Sequence, residues 1–322
     1  MKRSLVYLAC ILSLLSLIFS GCGSKSQDKA ITQTSTEYLR ITDDGGRTVI
    51  LPKKPQRIVV LSTSFLDVLY GVGGQAVGRP SSKSAAMFPA SQTAAEVGFI
   101  YNVNNEQVLG LQPDLVIGFQ GIHEKLIPIL ESSKIPVVML KMKTYDEILT
   151  KVKLFGDIAG TQSQAQSMID QMQVKINEVV AKLPGQSKKV VILHATAKNV
   201  TVELDQSIAG NVAKMLKIKN IAVGSQALDG NPEIAPYSLE KLVEGDADQI
   251  LVVTMGNMAD IETRMKSDLS SNPAWAGLRA VKNGQVFFLP SELFQLNPGI
   301  RFYESVEYMA KVVYPEVYGH VQ

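Results

Sequence analysis

Short apolar runs alternate with stretches of helical period along almost the whole chain. Apolar runs stand at 57–61 (RIVVL), 115–119 (LVIGF), 136–140, 188–194 (KKVVILH), 250–253 and 285–289. Their length and β-branched content predict buried strands. Helical spacing of apolar residues covers 65–70, 123–132, 145–159, 208–216 and 302–313, the last ending before Pro315. Asp44-Gly45-Gly46 is a hairpin turn signal, and Pro52 and Pro55 break the chain before the strand at 57–61. Ser62, Thr63 and Ser64 can cap the helix that follows. A short strand is predicted at 76–78, then a polar loop to Glu96. Strands alternating with helices in both halves predict an α/β fold with mainly parallel sheets.

One sixteen-residue pattern occurs twice. Residues 104–119 read NNEQVLGLQPDLVIGF and residues 238–253 read SLEKLVEGDADQILVV. At a constant offset of 134, Glu106 aligns with Glu240, Val108 with Leu242, Leu109 with Val243 and Asp114 with Asp248. Each copy reads as a short helix led by a glutamate, a turn at an aspartate, then an apolar strand. Two copies predict two similar lobes with a cleft between them. An equivalent glutamate on each lobe predicts a surface that something docks onto twice. Between the copies, Ala165, Met168, Ile169, Met172, Ile176, Val179, Val180 and Leu183 keep a helical period up to Pro184-Gly185. A helix over 162–183 would be about 33 Å long at 1.5 Å per residue. That length suits a stiff connector between lobes, and the same period suits a helix packed inside one lobe. The expected division is an N-terminal lobe at 39–160, a connecting helix at 161–184 and a C-terminal lobe at 185–322.

The N-terminus adds location. Lys2 and Arg3 precede an apolar run from Leu5 to Phe19, then Ser20-Gly21 and Cys22. This predicts a cleaved secretory signal at 1–21. Gly21-Cys22 resembles a bacterial lipobox, which would leave lipid on Cys22. Phe19, where Leu is commoner, departs from that pattern, and plain secretion is the alternative. Residues 22–38 are polar and without an aromatic residue before Tyr38, which predicts a flexible tether. Cys10 falls in the signal, so Cys22 would be the only cysteine of the mature chain. An internal disulfide is thereby excluded, and a cysteine-based metal site or catalytic thiol is not expected. Removing 1–21 takes away Lys2 and Arg3 and no acid, leaving 30 basic residues against 30 acidic ones. That balance points away from nucleic acid.

Catalysis is not expected. G-x-S-x-G, H-E-x-x-H and a phosphate-loop lysine are missing from the sequence, and its three histidines are scattered. Gly71, Gly73 and Gly74 follow a helix instead of opening one, so they do not form a nucleotide fingerprint.

Four segments together carry a family resemblance: DDGGRTVILPKKPQRIVVLS (43–62), VGFIYNVNNEQVLGLQPDLVIG (97–118), SLEKLV (238–243) and NPAWAGLRAVKNGQVFFLPSE (272–292). In their order and spacing the chain resembles the substrate-binding lipoproteins of bacterial ABC importers for iron chelates, haem and cobalamin. The similarity runs from about Tyr38 to Tyr318. It implies two Rossmann-like lobes joined by one long helix, with modest closure on the ligand. It implies an extracytoplasmic, lipid-anchored monomer without a resident cofactor, which hands a small-molecule iron complex to an ABC permease and its ATPase. It also implies that Glu106 and Glu240 dock onto arginines of the permease.

The resemblance nominates ligand residues too. In haem-binding members the loop holding Tyr101 supplies a Tyr or Met iron ligand, and Phe99 beside it could stack on a flat ligand. Met255 stands where some haem-binding relatives carry a histidine, a departure that weakens haem; Tyr101 and Met255 would be metal ligands only if the ligand is haem. His194, read as the end of its strand, could replace that histidine, and His123 is a weaker candidate. Arg301 suits a propionate or an anionic siderophore. A ferric siderophore would rest on Phe99, Tyr101, Tyr237 and Arg301 without coordination. Trp275 is expected to pack. A cobalamin-like corrinoid and a free divalent metal ion are the alternative ligands, the latter drawing on His123 and His194.

Overall fold

The computed structural model describes residues 37–322 apart from 83–85, 237, 257, 272, 296 and 322. The expected signal (1–21), Cys22, nearly all of the tether (22–38) and Tyr237 therefore lie outside the described residues. The turn signal at 44–46 forms its hairpin. Strand β1 (Leu39–Thr42) pairs antiparallel with β2 (Thr48–Leu51), and Asp43 accepts hydrogen bonds from the Gly45 and Arg47 amides.

The first lobe then runs β3 (Ile58–Val60), α1 (Thr63–Gly71), β4 (Gly78–Arg79), β5 (Ala95–Glu96), β6 (Gly98–Phe99), β7 (Asn102–Val103), α2 (Asn105–Gly110), β8 (Leu115–Phe119), α3 (Ile127–Ser132), β9 (Val137–Leu140) and α4 (Tyr145–Ala159). Its parallel sheet has the order β5-β4-β3-β8-β9, and β6 with β7 forms a separate hairpin. Helix α4 starts at a capping box, Thr144 with Glu147, and stops at Gly160 with φ of 65°, the signals expected of each end. The short strand lies at 78–79 instead of 76–78, and the expected polar loop contains β5.

Helix α5 (Gln162–Val180) follows. The second lobe runs β10 (Lys189–Thr196), β11 (Val200–Glu203), α6 (Ile208–Met215), β12 (Lys219–Asn220), β13 (Ile234–Pro236), α7 (Leu239–Gly245), β14 (Gln249–Met255), α8 (Met258–Ser271), β15 (Val286–Phe288) and α9 (Phe302–Val313). The sheet order is β13-β11-β10-β14-β15, with β12 also on β10. Strands β12, β14 and β15 extend the parallel set, while β11 pairs antiparallel with both β10 and β13. The architecture is α/β in two lobes with mainly parallel sheets. Strands β11 to β13 and helix α8 were not read from the sequence.

The repeated pattern is repeated backbone geometry. Arg57 N–H donates to the Asp114 carboxylate, and Asp114 N–H donates to Arg57 O. Lys189 N–H donates to the Asp248 carboxylate, and Asp248 N–H donates to Lys189 O. Ile58 then registers with Leu115, and Val190 with Gln249. Two residues before each aspartate the chain is left-handed, at Gln112 (φ 47°) and Asp246 (φ 42°), again 134 apart.

Helix α5 is not a bare rod. Ala165, Met172 and Ile176 are buried along one stripe, and the helix packs on α4 and on α9. Lys175 stands 3.8 Å over the Tyr303 ring of α9, and Tyr318 Oη donates to Val179 O near the end of α5. The end of the chain thus returns to the connector as a second tie between lobes. One apolar cluster runs through both: Ile58, Val60, Leu115 and Ile117 of the first sheet, Phe155 and Ile176 of α4 and α5, Phe302 and Val306 of α9, and Val190, Ile192, Leu251 and Val253 of the second sheet.

Candidate functional site

In a parallel sheet, ligand groups gather at the carboxyl ends of the strands. Here the carboxyl end of the first sheet abuts the second lobe. A Cβ at Gly299 would stand 3.4 Å from Ser64 O, just past β3, and 3.5 Å from Met142 Cε, just past β9. Tyr145 N–H donates to Asn211 of α6, and Lys143 pairs with Glu233 at 3.4 Å.

Phe99 and Tyr101 sit on the β6–β7 hairpin, where the sequence predicts only a loop. Phe99 is 50% exposed and Tyr101 73%. Gly98, at φ +96°, makes the hairpin possible, since a Cβ there would be 2.4 Å from Asn102 O. The base of the hairpin is braced from β4: Ser81 N–H donates to Gly98 O, and Arg79 and Ser81 both bind the Glu96 carboxylate. Those two bonds hold the exposed Glu96 carboxyl below its ordinary range, the Ser81 bond first.

His123 is enclosed, and both of its ring nitrogens are engaged within the protein. Nδ1 accepts from Phe119 N–H, and Nε2 pairs with Ile100 O. Helix α1 starts without the expected side-chain cap. Ser62 Oγ lies 3.0 Å from Ser64 Oγ, and neither hydroxyl caps the first turn. The first-turn amides of α1, at the edge of the first sheet, are thus not capped by a side chain.

In the second lobe Met255 is the last residue of β14 and does not follow it; it is 47% exposed. His194 is not at the strand end, because β10 continues to Thr196. It shares a sheet face with Val190 and Ile192. Its Nδ1 lies 3.0 Å from Oε1 of Glu203, a buried residue whose Oε2 is without a hydrogen-bond partner. A carboxylate facing one imidazole nitrogen is also the pairing found behind metal-ligating histidines.

Arg301 is already engaged. Its Nε and Nη2 donate to the Glu304 carboxylate, the shortest contact at 2.6 Å. An anionic ligand would have to share it. Trp275 is buried, as expected of a packing residue. Among the described residues, no group of three or more His, Cys, Asp or Glu is gathered as for a bare metal ion. Two surface cavities, of about 370 and 430 Å³, are not lined by Phe99, Tyr101, His194, Met255 or Arg301. The first lies at the amino ends of β10 and β14 and the second beside the end of α7.

Glu106 and Glu240 are exposed, each in the first turn of its helix. Asn104 and Ser238 cap those turns, accepting from Gln107 and Lys241 N–H. Helices α2 and α7 each lead straight into a central strand at its amino end. Their N-termini, with the two glutamates, consequently lie toward the carboxyl edges of the two sheets.

Comparison with known proteins bears on what this arrangement serves. Residues 58–293 match a family model described as periplasmic binding protein. The chain is 28% identical to the Fe(3+)-citrate-binding protein YfmC of Bacillus subtilis (strain 168), over 99% of this chain and 98% of that one. The S. aureus IsdE structure complexed with heme aligns with a TM-score of 0.69 at 19% identity, covering 80% of this chain and 98% of that one. Staphylococcus aureus SirA complexed with staphyloferrin B aligns with a TM-score of 0.68 at 23% identity, covering 86% and 98%. At these identities the two structures speak to the fold alone.

Proposed function

The chain belongs to the periplasmic binding proteins, and from that premise we propose that it captures an iron complex between its lobes and delivers it to an ABC importer. The reading places it outside the cytoplasmic membrane, held by lipid on Cys22, with a permease and its ATPase as partners and no catalytic role of its own. The carrying observation is the pair Phe99 and Tyr101, presented to solvent on a braced hairpin beside the carboxyl end of the first sheet. Exposed aromatic rings on a fixed hairpin offer surface on which a flat or bulky chelate can stack.

The ligand class follows from the groups around them. The uncapped start of α1 favours anionic oxygens, which ferric citrate, a carboxylate siderophore or haem propionates all carry. The named specificity of YfmC favours a ferric carboxylate complex. Haem is the second reading, favoured by the Glu203–His194 pair, with Tyr101 and Met255 as further donors to iron. Tyr237 and Arg301 complete the proposed contacts.

Calorimetry of the mature chain with ferric citrate, iron-free citrate and hemin tests this. Saturation near one equivalent by an iron complex, with none by citrate alone, is expected, and Tyr101→Ala should weaken it roughly tenfold. A Soret shift with hemin that His194→Ala abolishes would select the haem reading. Binding of neither iron complex would sink both.

A further inference from the structure

His123 follows β8 and is 3% exposed. Its ring makes two hydrogen bonds of opposite sense. Nδ1 accepts from Phe119 N–H at 2.8 Å, so the ring proton is on Nε2. Nε2–H then donates to Ile100 O at 2.7 Å. Both lengths are those of well-formed bonds, and only a neutral imidazole makes this pair of bonds. Burial agrees, pulling the His123 pKa down against the Ile100 bond and the Glu124 charge.

The two partners differ in kind. Phe119 ends a central strand, and its ring stacks on Phe65 at 5.4 Å, which in turn packs on Phe155 at 6.0 Å. Phe65 and Phe155 are fully buried. Ile100 instead lies in the turn of the β6–β7 hairpin, between Phe99 and Tyr101. That hairpin has only the pairs Gly98 with Val103 and Phe99 with Asn102, too little to stand alone in water. Gly118 packs closely under Met139 and His123: a Cβ there would be 2.7 Å from Met139 Sδ and 3.1 Å from His123 Cβ.

We propose that His123 is the positioning residue of the ligand site, tying the hairpin turn, and with it Phe99 and Tyr101, to the aromatic core beneath β8. The proposal rests on the reading of Phe99 and Tyr101 as ligand residues. His123 touches no ligand, because both ring nitrogens are engaged inside the protein.

Two amide side chains separate positioning from mere packing. In His123→Gln the amide nitrogen reaches the place of Nε2 and can still donate to Ile100 O. In His123→Asn the side chain stops near the place of Nδ1 and can serve only Phe119 N–H. The measurements are hydrogen exchange of the 98–103 amides in the ligand-free mature chain and affinity for ferric citrate and for hemin, with Tyr101→Ala run alongside. Asparagine should lose protection at 98–103 and about tenfold in affinity for whichever probe the wild type binds, while glutamine keeps most of both. Wild-type protection in the asparagine variant, or equal losses in both variants, would overturn the proposal. So would a loosened hairpin with unchanged affinity; unchanged affinity in Tyr101→Ala as well would put the fault in the ligand-site reading instead of in His123.

Discussion

Asp67 and Arg301 belong to different lobes, and burial sets their balance. Asp67, on α1, is pushed up to about 6 by burial, only partly opposed by the Arg301 charge. Arg301 spends its directional hydrogen bonds on Glu304. A folded-state pKa above the unfolded one contributes stability that is present below about pH 4 and is lost as pH rises through about 6. Asp67→Asn should therefore leave stability unchanged near pH 4 and raise it by roughly 1–3 kcal/mol at pH 8, read as urea midpoints at the two values. A loss at pH 8 would mean that attraction to Arg301 outweighs the burial cost. The Arg301–Glu304 pair is legible as i,i+3 spacing at the start of a helix. The company of Asp67 was not legible, because its partner lies more than two hundred residues away.

At the scale of elements, the helix–turn–strand unit is the part of the fold that was plainest in the sequence. It was read from matched glutamates and aspartates at one offset, and the structure shows why they match. Each aspartate closes a ring at the start of the neighbouring strand, with Arg57 just before β3 or with Lys189, the first residue of β10. Asp248 also holds Arg279 at 2.7 Å. Asp114→Ala and Asp248→Ala should each cost roughly 1–3 kcal/mol by leaving strand-edge amides unpartnered, measured by chemical denaturation. Wild-type stability in both would show that strand pairing alone sets the turn. The β6–β7 hairpin escaped the sequence reading for the opposite reason. Two-residue strands carry no period to detect, and these are held by Ser81 and His123 from elsewhere in the chain. Strands β11 to β13 are short and of mixed polarity, so they too show little pattern until β10 supplies their partner.

For the whole molecule, the shared apolar cluster decides how the lobes can move. Residues from both sheets, α4, α5 and α9 lie in one continuous core, so a wide hinge opening would expose close-packed side chains. Small closure on a ligand is the motion this allows. The proposed docking role of Glu106 and Glu240 belongs to the same scale, since it needs both lobes presented together to one partner. Reversing both charges, Glu106→Arg with Glu240→Arg, should abolish uptake in cells while leaving affinity for the iron complex within about twofold of wild type. A parallel fall in affinity would place the glutamates in the ligand site or in the fold.

What the sequence determined by itself is local and periodic. Buried strands such as β8 and helices such as α4, α5 and α9 announce themselves because their partners lie on the same short stretch of chain or are any apolar surface at all. The duplicated turn announces itself because both copies solve the same backbone problem with the same residues. Only the tertiary structure decided which side chains remain available. It engaged Arg301 with Glu304, paired His194 with Glu203, enclosed His123 behind the hairpin, and left Phe99, Tyr101 and Met255 exposed. Those outcomes depend on hydrogen bonds and burial between segments that meet only on folding, where desolvation sets the cost of each polar group.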